Sequence, residues 1–286
     1  MASNVYVGKD LGTLALTITE EMVEHYILGL NAPHPWYLDD SPFGGPVAPA
    51  LIFQDVSTRF QGWYLDNLVG NLWIRQEWDV FAPVRVGQSL RCAARVADRY
   101  QKRGRDVVVQ EVSITDETGQ LVARGRHHQS FLPTQSSGEV TLRDPKAKEG
   151  ARTYAEPSGE PLSLELKRTF TEEMCNQYFY TRRNYHNDRE EARKLGFPDI
   201  VVGGRMTLSC VSELLTQHFG RGWFLGGHLD VKFTNILWVN EPFTTRGVIT
   251  GREIVQGTKR AQVAVWCEKA DGTKILVGNA SVAEDL

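Results

Sequence analysis

Histidine is the side chain whose proton affinity lies nearest neutral pH, and His186 stands in a stretch that could use it. It opens the run H-N-D-R-E-E-A-R-K-L-G-F-P-D-I-V-V-G-G-R-M over residues 186–206. At the far end Gly203-Gly204 lets the backbone bend tightly into an apolar helix expected over residues 206–219. A glycine pair opening a helix leaves unpaired amides beside the positive end of the helix dipole. Such donors can hold a developing oxyanion while a nearby histidine moves a proton. The alternative is an ordinary helix–turn–helix with a glycine hinge, because two glycines before a helix are a weak motif.

The elements between these residues must set their positions. Asp188, Glu190 and Glu191 fall in the first turn of a short helix and Arg193 and Lys194 in its last, with Gly196 as the stop. That charge order suits the helix dipole. Phe197-Pro198-Asp199 reads as a turn, and Ile200-Val201-Val202 is too short for a full strand.

The same plan occurs twice. Thr17-Ile18-Thr19-Glu20-Glu21-Met22, followed by Tyr26, returns at an offset of 152 as Thr169-Phe170-Thr171-Glu172-Glu173-Met174, followed by Tyr178; six of the ten positions agree. Each copy supplies an N-cap threonine and two first-turn glutamates. In the first half a proline-broken loop and F-G-G-P-V-A-P lead to a long apolar helix expected over residues 50–65, then strands over 73–81, 89–96, 106–114 and 121–131. In the second half the Gly203-Gly204 helix is followed by strands expected over 228–233, 243–252, 262–268 and 275–282. Residues 134–161, rich in Pro, Gly, Ser, Lys and Glu, read as a linker between a domain over 1–133 and one over 162–286. The fold class is α+β, each half a long helix wrapped by an antiparallel sheet.

Composition narrows the function classes. A hydrophobic share of 41% and a charged share of 23% fit a globular chain with a full core. A net charge of −3 and no long basic run argue against nucleic acid as a partner. K-R-G-R at Lys102 to Arg105 reads as a solvated hairpin turn, a phosphate contact being the alternative. No signal-peptide core or membrane-length apolar run occurs, and Cys92, Cys175, Cys210 and Cys267 form no C-x-x-C pair; buried thiols in a reducing cytoplasm are expected. His127-His128, His218 and His228 lack metal-ligand spacing, so no metal and no cofactor is expected.

The repeat, with P-W-Y-L-D, F-G-G-P-V-A-P and A-P-V-R-V-G in the first half and H-x-D-x-x-x-A-x-x-x-G-F from His186 to Phe197 in the second, resembles the MaoC-like double hot-dog family. That family holds (R)-specific enoyl-CoA hydratases and 3-hydroxyacyl thioester dehydratases, and the first half resembles its FAS1-type dehydratase N-terminal domain. The resemblance implies a tandem hot-dog acting on an acyl-CoA or acyl-carrier-protein thioester, with further pairing into an oligomer. The family's G-D-x-N-P-x-H motif puts its histidine on His186, its glycine on Tyr180, its aspartate on Thr181, its asparagine on Arg183 and its proline on Asn184. The oxyanion glycine falls on Gly204 and a helix serine on Ser212, so the histidine, glycine and serine are kept while the acid is missing.

His186, Thr181 and Gly204 are therefore the catalytic candidates, Thr181 as a holder of water, since a threonine is no base at neutral pH. Tyr180, Arg183, Asp188, Gly203 and Ser212 are the substrate-binding candidates. Arg183 could pair with a carboxylated substrate or with Glu190 or Glu191. Asp188 could cap its helix or turn back toward His186 as a base. Asn31, His34 and Asp39 occupy the corresponding loop of the first half, the half expected to bind acyl groups, with Trp36, Trp63 and Trp73 as possible walls. A hydratase or dehydratase is the first reading. A thioesterase or tailoring enzyme on the same fold, or a non-catalytic acyl-binding subunit, are the others.

Overall fold

In the computed structural model, which describes residues 4–68, 70–133 and 154–284, two similar halves join through one sheet. The first half runs β1 (Asp10–Thr17), α1 (Glu20–Leu30), α2 (Pro35–Leu38), β2 (Leu72–Val80), β3 (Ser89–Lys102), β4 (Arg105–Thr115) and β5 (Leu121–Phe131). The second runs β6 (Glu160–Pro161), β7 (Leu166–Thr169), α3 (Glu172–Tyr178), α4 (Arg189–Lys194), α5 (Gly204–Phe219), α6 (Arg221–Gly226), β8 (Gly227–Phe233), β9 (Pro242–Val255), β10 (Thr258–Lys269) and β11 (Lys274–Ala283).

The strands form one sheet in the order β1-β3-β4-β5-β2-β8-β11-β10-β9-β6, with β7 also on β9. Its centre is the antiparallel pair β2–β8, from Arg75↔Lys232 to Val80↔Gly227. Shifting by the 152-residue offset of the helix motif exchanges those two pairs, so a pseudo-twofold axis passes between β2 and β8. Arg75 bonds Asp230 at 2.7 Å and His228 bonds Asp79 at 2.7 Å across this seam. The repeated threonines do the work their position implies: Thr19 accepts from the Met22 amide and Thr171 from the Met174 amide, each at 3.2 Å. K-R-G-R is the β3–β4 hairpin, with Arg103 at φ 53° and Gly104 at φ 70°, as a tight hairpin requires. Of the linker, residues 134–153 lie outside the described residues; its end is held to the sheet where Glu160 pairs with Ile249.

The two N-terminal helices of the halves cross closely. A Cβ on Gly29 of α1 would sit 2.7 Å from Tyr178 Cβ and 2.9 Å from its amide in α3. Gly29→Ala is therefore expected to destabilise the chain by about 1–3 kcal/mol through backbone displacement, seen as a lower urea midpoint with an unchanged slope.

The second-half helix α5 is buried from Met206 to Thr216, with β9, β10 and β11 around it. Its first-half counterpart corrects the sequence reading. The expected long helix over 50–65 is a set of turns and one 3₁₀ helix, Gln54–Arg59. Polar side chains explain the change. Thr58 donates to the Asp55 carbonyl at 2.7 Å, and Gln110 donates to the Ser57 carbonyl at 3.1 Å, taking acceptors that an α-helix would use. Gly62, at φ 80°, then turns the chain away.

Candidate active site

His186 sits on the loop between α3 and α4, and two asparagines shape that loop. Asn184 Oδ1 accepts from the His186 amide at 2.8 Å, and Asn187 Oδ1 accepts from the Asn184 amide at 2.7 Å. Asn187 Nδ2 also donates to the Phe179 carbonyl at 3.0 Å and the Arg182 carbonyl at 3.2 Å. Where the family motif has proline, Asn184 thus fixes the backbone by a side-chain bond.

The imidazole is packed against Phe179, centroids 5.0 Å apart and planes within 22°, and against Tyr185 at 3.8 Å. Its Nδ1 lies 2.8 Å from the Val201 carbonyl oxygen. A carbonyl only accepts, so Nδ1 carries the hydrogen and Nε2 presents a lone pair. The residue keeps some exposed surface, yet enclosure of the ring pulls its pKa down to about 4, helped by the nearby Arg205 charge and opposed by the Val201 bond. At neutral pH it is a neutral imidazole with an available base nitrogen.

Phe179 connects this ring to the start of α5. A Cβ on Gly203 would lie 2.2 Å from Phe179 Cζ, and the Arg205 guanidinium carbon lies 4.9 Å from the Phe179 centroid. Gly203 and Gly204 are required by contact: a Cβ on Gly204 would meet Phe233 Cε1 at 2.9 Å and Trp73 Cε3 at 3.2 Å. The N-cap Gly203 has no side chain to cap the helix, so the first-turn amides keep no side-chain partner. A neutral imidazole and the donor end of a sixteen-residue helix thus share one aromatic wall. Chemically, that arrangement can take a proton while a carbonyl oxygen gains negative charge.

The other sequence candidates are placed as follows. Thr181 is exposed on the turn after α3. Tyr180 stacks on His25 of the first half, centroids 3.8 Å apart. Asp188 caps α4, accepting from the Glu191 amide at 2.9 Å, and its other oxygen meets Arg183 Nε at 2.7 Å. Arg183 also pairs with Glu190 at 2.7 Å, so of its alternatives the carboxylates of its own loop are the ones occupied. Ser212 is fully buried and accepts from the Trp223 indole at 3.0 Å. In the first half His34 lies 152 positions before His186, but its Nδ1 accepts from the Trp36 amide at 3.2 Å and caps α2. Asn31 and Asp39 sit at the C-terminal caps of α1 and α2.

Sequence reasoning gave no site role to three residues that the structure brings into view. Arg205 is one. His127 is another: it stacks on Trp73 at 4.7 Å, within 9° of parallel, and contacts Ser57 Oγ at 3.3 Å and Gln129 Oε1 at 2.9 Å. Burial pulls its pKa to about 3. The third is Glu213, buried in α5, whose Oε1 accepts from Tyr26 at 2.8 Å and Tyr37 at 2.6 Å. Burial drives this carboxyl up to about 7 against the opposing effect of the two tyrosine bonds. The signals were a single acid within the apolar run after Gly204, the repeat position of Tyr26 and the P-W-Y-L-D motif that holds Tyr37; nothing local joined them.

With the geometry in hand, comparison with known proteins places the chain. The family described as MaoC like domain matches residues 153–269, and the FAS1-like, dehydratase domain region matches residues 5–124. No curated protein matches the sequence. A MaoC-like dehydratase from Phytophthora capsici has a similar structure, with TM-score 0.75 and 18% identity over 98% of each chain. So does the peroxisomal multifunctional enzyme type 2 of Drosophila melanogaster, TM-score 0.68 and 16% identity over 96% of this chain and 48% of that one. A conserved hypothetical protein of Mycobacterium tuberculosis described as a double hot-dog gives TM-score 0.59 and 14% identity over 98% of this chain and 96% of that one. At such identities these structures speak to fold. Together with the two family matches, they establish that the chain belongs to the MaoC-like double hot-dog family, a FAS1-like dehydratase region followed by a MaoC-like domain.

Proposed function

We propose that the chain hydrates enoyl thioesters, or dehydrates 3-hydroxyacyl thioesters, at the His186–Gly204 site, with CoA or a carrier protein as the thiol. The observation that carries this reading is the His186 tautomer: Nδ1 is committed to the Val201 carbonyl, leaving Nε2 as a base beside an uncapped helix start.

In hydration, Nε2 takes a proton from water as the water oxygen bonds the β-carbon. The double-bond electron pair moves toward the thioester, and the Gly204 amide stabilises the negative carbonyl oxygen. The imidazolium then returns its proton to the α-carbon, so oxygen and hydrogen arrive on the same face. Dehydration is the reverse. Thr181 in this scheme holds the water and moves no proton. Tyr180, Gly203 and Ser212 shape the surroundings, and Asp188 with Arg183 keeps the loop in place.

The test is water addition to a chain-length series of enoyl-CoA and enoyl-carrier-protein substrates. Turnover on some member supports the reading, and none on any overturns it. Release of free thiol without water addition would assign a thioesterase instead. Gly203→Ala is expected to lower turnover about 10- to 100-fold, because the new methyl displaces the Phe179 ring on which His186 rests. Unchanged turnover in that variant would show that the plate does not set the base.

A further inference from the structure

We propose that Arg205 binds a carboxylate on the acyl chain, so that the preferred thioesters are half-thioesters of dicarboxylic acids. This rests on the hydratase reading and names its substrate class.

Arg205 follows Gly204 directly in α5, and its guanidinium lies over the Phe179 ring that also supports His186. It is partly buried, and among the described residues no carboxylate pairs with it. A half-buried guanidinium without an anion is costly, and its planar fork fits a carboxylate through two parallel hydrogen bonds. Its charge reaches both histidines, lowering the proton affinity of His186 and of His127. Through the shared Phe179 ring the cation sits at the reacting end, beside the histidine loop.

A separate observation on the acyl side agrees. Trp73 contacts Gly204 on one side and stacks on His127 on the other. Past His127, the side chains of Ser57, Gln76, Trp78 and Gln110 pack together and leave no room for a water molecule, so no acyl chain runs further in that direction.

Phosphates of CoA are the other anion that a guanidinium binds, and the carrier separates the two. Binding of succinyl and butyryl thioesters, each as CoA and as phosphate-free N-acetylcysteamine derivatives, is measured by calorimetry on the full chain and on Arg205→Met and Arg205→Lys. The wild type is expected to bind the succinyl thioester 10- to 100-fold tighter than the butyryl one on both carriers. Arg205→Met should erase that preference and Arg205→Lys keep part of it. Equal binding of succinyl and butyryl by the wild type overturns the proposal, as does a loss in Arg205→Met confined to both CoA derivatives alike. Binding is read without turnover, so a chain that discriminates in this way yet hydrates nothing would refute the hydratase reading and leave the carboxylate site standing.

Discussion

Replacing His186 by alanine is expected to reduce hydration by about 10²- to 10⁴-fold, the usual contribution of a positioned general base. Alanine also empties the space between Phe179 and Tyr185, so a second variant is needed to separate chemistry from packing. In His186→Asn the amide nitrogen can still donate to the Val201 carbonyl, while nothing replaces Nε2. Both variants should be inactive, with His186→Asn closer to the wild type in thermal midpoint. Activity in the asparagine variant would make the residue structural and end the proposed mechanism. The pH profile is a further check. The base is lost only as pH falls toward about 4, so kcat/KM should stay flat well below the pH at which an ordinary histidine is protonated. A decline centred near the ordinary histidine value would show that the ring is not enclosed in the working enzyme.

The second large effect concerns stability. Glu213 joins the halves: it belongs to α5, and both of its partners, Tyr26 and Tyr37, come from the first half. Folded, it keeps its proton up to about pH 7; unfolded, it loses it in the ordinary carboxylate range. The folded chain therefore binds more protons across that interval, and stability falls as pH rises through it, by about 3 kcal/mol in total. His186 and His127 act in the opposite direction at acid pH. Their folded pKa values are depressed, so stability falls as pH drops below the ordinary histidine value toward about 4 and about 3. Glu213→Gln can still accept from both tyrosines and does not ionise. It adds a buried amide donor, which costs a similar amount at every pH. The diagnostic is therefore the difference between the two curves: the histidine contribution is common to both, so the urea midpoint of the wild type relative to Glu213→Gln should fall as pH rises from about 5 to 7. Parallel curves would mean that Glu213 does not titrate there.

The sequence by itself determined the doubled plan, because caps, turns and alternation are local. Thr19 and Thr171 cap as read, the hairpins fall on K-R-G-R, Asp116–Gly119 and Asp271-Gly272, and the eight strands read from their patterns are present, β3 running six residues further, while β1, β6 and β7 were not read. The glycine-opened helix and the loop of His186 were legible for the same reason. Tertiary structure decided the rest. The helix expected over 50–65 gave way because Gln110, more than fifty residues on, takes a backbone acceptor. Only the fold brings Phe179 between His186 and α5, and Tyr26 and Tyr37 onto Glu213, because each pairing joins residues that no periodicity connects. Whether a base nitrogen is presented was likewise set by the Val201 carbonyl, fifteen residues beyond His186 and brought to it by the turn that separates them.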